Sequence, residues 1–240
     1  AFQGAFAAVL KLDERLHEVA LALPEPYQAH GGPLANQADA PMEISSDALV
    51  AAVVDALYGA TYKAKESKKP PKGLASVTLL APEAAQAALP EALTLAEAKA
   101  LTKDLVNTPA NVKTTMTLVE AAQAIAAEFP AVSLELFDDP AWIAKEMPCF
   151  HTVALGSLAS DPPKFLHLTY KGANPSRRLA LVGKSVIFDT GGYQVKPGNS
   201  MVTMKGDMTG GASVLGALRA IAELKPANLE LHVYLAATPN

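Results

Sequence analysis

Between Thr94 and Thr238 the sequence alternates between two apolar periods, and this alternation limits the fold more than any other feature. "TLAEAKALTKDLVN" (94–107), "TLVEAAQAIAAEF" (117–129), "PAWIAKEM" (140–147) and "TGGASVLGALRAIAEL" (209–224) carry apolar residues at helical spacing. "VSLELF" (132–137), "FLHLTY" (165–170), "RLALVGKSVIF" (178–188) and "LELHVYLAAT" (229–238) are short apolar runs rich in strand-forming residues. Helices interleaved with apolar strands predict an α/β domain around a mostly parallel or mixed sheet.

Upstream the pattern is different. Residues 1–23 are apolar at helical spacing, and 23–42 are rich in Pro, Gly and Ala, as in a loop or linker. "SSDALVAAVVDALYGATYKAK" predicts a second helix, with Ser46 or Asp47 as its N-cap, and "ASVTLL" (75–80) predicts a strand. The chain has 240 residues, half of them hydrophobic, which suits one large or two modest domains. The expected division is a small amino-terminal α/β domain, 1–93, and a second domain from 94 to 240.

Charge and cysteine usage exclude several classes. The net charge is −4 with both signs interspersed, so no basic stripe or arm points to nucleic acid or a membrane surface. No apolar run approaches the roughly 20 residues that span a bilayer. The opening "AFQGAFAAVLKLDERL" lacks a basic n-region and a cleavage pattern, so it does not read as a signal peptide. The single cysteine, Cys149, excludes an internal disulfide framework and suits a reducing, cytoplasmic compartment.

The chemistry concentrates in "VGKSVIFDTGGYQVKPGNSMVTMKGDM" (182–208), where Lys184, Asp189, Lys196 and Asp207 lie among glycines beside an apolar strand. Two motif readings fail here. A P-loop needs a glycine where Arg178 stands, and "RLALVGKS" is strand up to the lysine. "HEVAL" (17–21) lacks the second histidine of a zincin helix. Cys149 and His151 would share a face on an extended segment, but a lone cysteine is most often an inert thiol. Aspartates are hard ligands for Mg²⁺, Mn²⁺ or Zn²⁺, and a nearby dication favours a neutral, ligating lysine.

Spacing sets conditions on that site. Lys184 and Asp189 point to opposite faces of an unbroken strand, so their convergence requires a bend or bulge near Gly183 or Ser185. "TGG" and "KPGNS" form turns, and Asp207 precedes a helix whose expected N-cap is Thr209. The plainer alternative is a pair of salt bridges, Lys184–Asp189 and Lys196–Asp207, on a solvated rim.

"LVGKSVIFDTGGYQVKPGNSMVTMKGDMTGGASVLGALRAI" resembles the signature region of the leucyl aminopeptidase family, the M17 metallopeptidases. "KDLVNTPANVKT" is similar to that family's entry to its catalytic domain, and "EMPCFHTVALGSLASDPPKFLHLTYKG" to the segment between. "DALYGATYKAK" is similar to the helix before the linker. The resemblance covers about residues 94–240. It implies a linker helix and the first part of a mixed-sheet metallopeptidase domain. It also implies an aminopeptidase acting on peptides with leucine-like amino termini.

By the same resemblance, Lys184, Asp189 and Asp207 are metal ligands in a two-metal site, with Asp189 bridging both ions. Lys196 polarises the scissile carbonyl, Asp207 lies near the substrate's free amine, and Met204 lines the first side-chain pocket or is ordinary core packing. The implied cofactors are two divalent ions, Zn²⁺ or Mn²⁺ with Mg²⁺ or Co²⁺ as alternates, and a bicarbonate held by an arginine. The implied assembly is a homohexamer.

Two departures stand beside this. The family's second acidic motif, Asn-Thr-Asp-Ala-Glu-Gly-Arg, is absent from these 240 residues, and "ATPN" has Pro239 where the family usually has glutamate. The expectation is therefore an amino-terminal part of such an enzyme, inactive by itself, with "LELHVYLAAT" ending as an exposed edge or an incomplete sheet and the remaining carboxyl-terminal part as its partner. If residues 1–240 were active alone, Asp138, Asp139 or Glu146 would be the ligands left to consider. A competing expectation is a non-catalytic homologue that serves as an assembly or binding module.

Overall fold

The computed structural model describes residues 89–157 and 159–240, together with the backbone of four short strands upstream. The chain divides into two units, Ala1–Gly59 with Lys63–Ala96, and Ala60–Tyr62 with Glu97–Asn240.

In the first unit, β1 (Glu18–Ala22) pairs in parallel with β4 (Ser76–Leu80), Val19 opposite Val77 and Leu21 opposite Leu79. β2 (Gln28–Ala29) and β3 (Met42–Glu43) form a short antiparallel pair. The helical reading of 1–23 is thus overturned at Glu18–Ala22, where strand pairing prevails over local apolar spacing. The stretch 23–42, read as a loop, likewise contributes to a strand pair. The helix expected from Ser46 or Asp47 lies outside the described residues.

In the second unit a four-stranded mixed sheet has the order β5-β6-β8-β7. β5 (Val132–Phe137), β6 (Lys164–Lys171) and β8 (Leu229–Thr238) are antiparallel neighbours in turn, and β7 (Arg177–Val186) runs parallel to β8. The mixed α/β fold matches expectation. Helix α1 (Leu89–Asn107) begins five residues earlier than its predicted start at Thr94. α2 (Thr115–Glu128) follows it, then α3 (Pro140–Glu146), α4 (Pro148–Ala154) and α5 (Thr209–Leu224).

The core forms on one sheet face. Along β8 the side chains alternate, so Leu231, Val233, Leu235 and Ala237 are buried together with Leu166 and Leu168 of β6. Leu118, Ala122 and Ile125 of α2 and Leu215 and Leu218 of α5 cover them at helical spacing. The opposite face carries a row of rings: Trp142 stacks on Phe137 at 4.4 Å, and His167 lies 4.6 Å from Tyr234 and 5.2 Å from His232.

The expected exposed edge is corrected. β8 is interior, flanked by β6 and β7, because β7, α5 and β8 form a parallel crossover whose return strand enters beside β7. The edge falls to β7, where Leu179 is 46% and Val182 79% exposed.

Candidate active site

β7 runs unbroken through Lys184, with Lys184 opposite Ala236 and Val186 opposite Thr238. The expected bulge at Gly183 or Ser185 is absent, and Lys184 pairs with Asp207 instead of Asp189. The strand ends at Val186, and the chain then grips the end of β8. Ile187 N–H donates to Thr238 O at 3.0 Å, Asn240 N–H to Phe188 O at 2.9 Å, and Thr190 N–H to Asn240 O at 2.8 Å.

Beyond Asp189 the backbone turns at Gly191, whose φ of 92° favours glycine. Its N–H donates to Asp189 Oδ1 at 2.9 Å. Lys196 N–H donates to Thr190 O at 2.9 Å, which closes the loop and folds Lys196 back over Asp189. Lys196 Nζ stands 3.1 Å from Asp189 Oδ2. Asn240 Nδ2 donates to Asp189 Oδ1 at 2.8 Å. Burial alone would raise the Asp189 carboxyl, but Lys196, the Gly191 N–H and the Asn240 amide outweigh it and hold it below the usual carboxylate value.

Asp207 is delivered by close backbone packing. A Cβ on Gly183 would meet Gly210 O and Gly211 Cα, both at 2.7 Å. The first turn of α5 therefore rests on the backbone of β7, and Asp207, two residues before α5, faces Lys184. Lys184 Nζ lies 2.7 Å from Asp207 Oδ2, an ion-pair distance. Asp207 Oδ2 is nevertheless buried and accepts no hydrogen bond, so the ammonium approaches outside a bonding direction.

The pairs are thus exchanged relative to the plainer expectation: Lys184 with Asp207, and Lys196 with Asp189. β7 runs straight through Lys184, and loop closure brings Lys196 to Asp189. Thr209 is not the N-cap; it opens α5, and its hydroxyl donates to Gly206 O, which leaves it turned away from the first helical N–H groups. Met204 begins a short 3₁₀ turn, Met204–Gly206, beside Asp207.

The remaining expectations fall elsewhere. Cys149 is exposed and lies with His151 on α4, where residues two apart face different directions. Asp138 pairs with Lys164 at 3.7 Å, Asp139 caps α3, and Glu146 pairs with Lys145 at 2.7 Å. Asn240 and Lys113 were not legible as site residues: Asn240 follows a proline after an apolar strand run, and Lys113 lies within the polar turn "NTPANVKT".

Residues 100–240 match the cytosol aminopeptidase family, catalytic domain. The chain belongs to that family. A probable cytosol aminopeptidase of Microcystis aeruginosa is 37% identical over 239 residues, covering 98% of this chain and 46% of that relative. Among solved structures, a mutant of tomato leucine aminopeptidase is similar over 100% of this chain and 44% of its own, with a TM-score of 0.73 and 27% identity. The bottromycin maturation enzyme BotP, solved in complex with Mn, is similar over 100% of this chain and 47% of its own, with a TM-score of 0.70 and 28% identity. The chain spans about half the length of the cytosol aminopeptidases it matches. Among the described residues no helix is long and apolar enough to cross a membrane, and no three His, Cys, Asp or Glu side chains form a metal cage.

Proposed function

We propose that the protein is a metallo-aminopeptidase that releases leucine-like amino-terminal residues from peptides, with residues 94–240 carrying one part of its site. The observation behind this reading is Asp207 Oδ2, a buried carboxylate oxygen without a hydrogen bond, facing an amine 2.7 Å away. Lys184 meets the charge of that oxygen but leaves it without a directional bond, which a divalent ion would supply. The donor set fits divalent ions: two carboxylates, Asp189 and Asp207, and the Lys184 amine, which can ligate once neutral.

Asp189, whose Oδ1 accepts from Gly191 N–H and Asn240 and whose Oδ2 faces Lys196, would be the ligand shared by the two ions, as the family resemblance implies. Two divalent ions, when bound, supply Lewis acidity toward the scissile carbonyl and toward a water. Lys196, 28% exposed and fixed by its loop, is assigned to the charge that develops on the carbonyl oxygen. Asp207 is assigned to the substrate's free amine as well, and Met204 to the first side-chain pocket. The further carboxylates and the bicarbonate-holding arginine of the family's second acidic motif would complete the site, within a homohexamer.

The test is hydrolysis of leucine p-nitroanilide by the native-length protein, before and after chelation. Activity that falls with chelation and returns with Mn²⁺ or Zn²⁺ supports the reading. Undiminished hydrolysis by metal-free protein, or none at any metal loading, overturns it.

A further inference from the structure

Among the described residues, Lys113 is the only lysine with no exposed surface. A buried amine needs partners, and no carboxylate provides one here. Its Nζ donates to Leu105 O, near the carboxyl end of α1, at 3.0 Å, and to Lys205 O, in the 3₁₀ turn, at 2.5 Å. Lys205 returns the tie, its Nζ donating to Asn107 O at 3.1 Å. The turn that aims Lys113 is itself fixed, with Val112 and Lys113 N–H both donating to Pro109 O, and α2 begins two residues later. The carbonyls at the end of α1 carry partial negative charge that favours a cation or a strong donor.

This lacing acts two residues from Asp207. The Lys205 carbonyl belongs to the Lys205–Gly206 peptide, inside the turn that Asp207 N–H closes by donating to Met204 O at 3.2 Å. Rotation of that peptide would disturb the turn and shift Met204 and Asp207 at its two ends. We propose that Lys113 is a positioning residue: by holding the Lys205 carbonyl it aims the Asp207 carboxylate and Met204 into the site. The inference rests on the aminopeptidase reading.

The burial of Lys113, reinforced by the charge of Lys205, lowers its amine to about 8. The neutral amine has two N–H groups for its two carbonyls, so the lacing persists when the proton is lost.

The test uses the native-length protein and Lys113→Met, which keeps an unbranched stem and removes the donors. Mn²⁺ is titrated into the metal-free proteins, and kcat and KM are measured separately with leucine p-nitroanilide. The expected result is about 10-fold weaker Mn²⁺ affinity and lower kcat with little change in KM, the pattern of a lost support behind a ligand. A folded Lys113→Met with wild-type Mn²⁺ affinity and kcat overturns the proposal. If Lys113→Met does not fold, Lys113→Gln decides: its shorter side chain cannot hold both carbonyls, so weaker Mn²⁺ affinity supports the proposal and wild-type affinity overturns it. Wild-type protein that neither binds Mn²⁺ nor hydrolyses the anilide overturns the aminopeptidase reading, and the role of Lys113 with it.

Discussion

Lys184 Nζ and Asp207 Oδ2 stand 2.7 Å apart, yet that oxygen is buried and accepts no hydrogen bond. The amine compensates the carboxylate charge without the directional bond that would satisfy it. Asp189 contrasts with this: Gly191 N–H and Asn240 satisfy one oxygen, and Lys196 faces the other. One carboxylate is thus held by hydrogen bonds as well as charge, the other by charge alone.

That difference gives a metal prediction. In the native-length protein, Asp189→Asn is expected to lower occupancy of two ions per chain and Lys184→Met of one, because Asp189 is assigned the bridge. Metal analysis of the purified variants decides between them, and equal stoichiometry in both would count against the bridge.

Lys196→Ala is expected to lower kcat about 100- to 1,000-fold, on the order of 3 kcal/mol, with metal content retained. The lysine's loop is closed by its own backbone bond to Thr190 O, so the substitution leaves the turn intact. Metal lost in proportion to activity would instead assign Lys196 a structural role.

Gly183→Ala tests how Asp207 is delivered. The new Cβ would press on Gly210 O, Gly211 Cα and Val214 Cγ2, each at 2.7 Å, and two of these are backbone atoms. Overpacking of this kind costs about 1–3 kcal/mol. Thermal melting should fall, and Mn²⁺ affinity should fall with it as α5 lifts from β7. A melting temperature equal to the wild type would mean the contact yields easily and does not set the position of Asp207.

Strong periodicity made part of this legible. α5 and β8 occupy the residues read from sequence, 209–224 and 229–238, because Leu215 and Leu218 on the helix and Leu231, Val233 and Leu235 on the strand keep one period throughout. Strand order was not legible: β8 comes last in the chain but lies between β6 and β7, a choice made by pairing partners far apart in sequence. The four charged residues were identified as a group, but their pairing was not. It depends on β7 staying straight past Gly183 and on the Thr190–Lys196 closure, neither of which spacing encodes. Lys113 was hidden because "NVKT" resembles any polar turn until the fold buries it.

Asn240 supplies the final prediction. It donates to Asp189 Oδ1 and helps hold that carboxyl below its ordinary value of 3.8. A folded-state value below the unfolded one contributes stability that is fully present above the unfolded value and is lost as pH falls through the folded value. Asn240→Ala removes one of the contacts that favour the charged form, so the folded value should move back up. Metal-free native-length protein would be unfolded in urea at a series of pH values from 7 down to 3, wild type against variant. The expected difference is about 2 kcal/mol at pH 7, the scale of one hydrogen bond to a charged group, shrinking as Asp189 becomes protonated in both proteins. A difference that stays constant across the series would mean that the Asn240 side chain stabilises the fold through its packing and not through the carboxylate it faces.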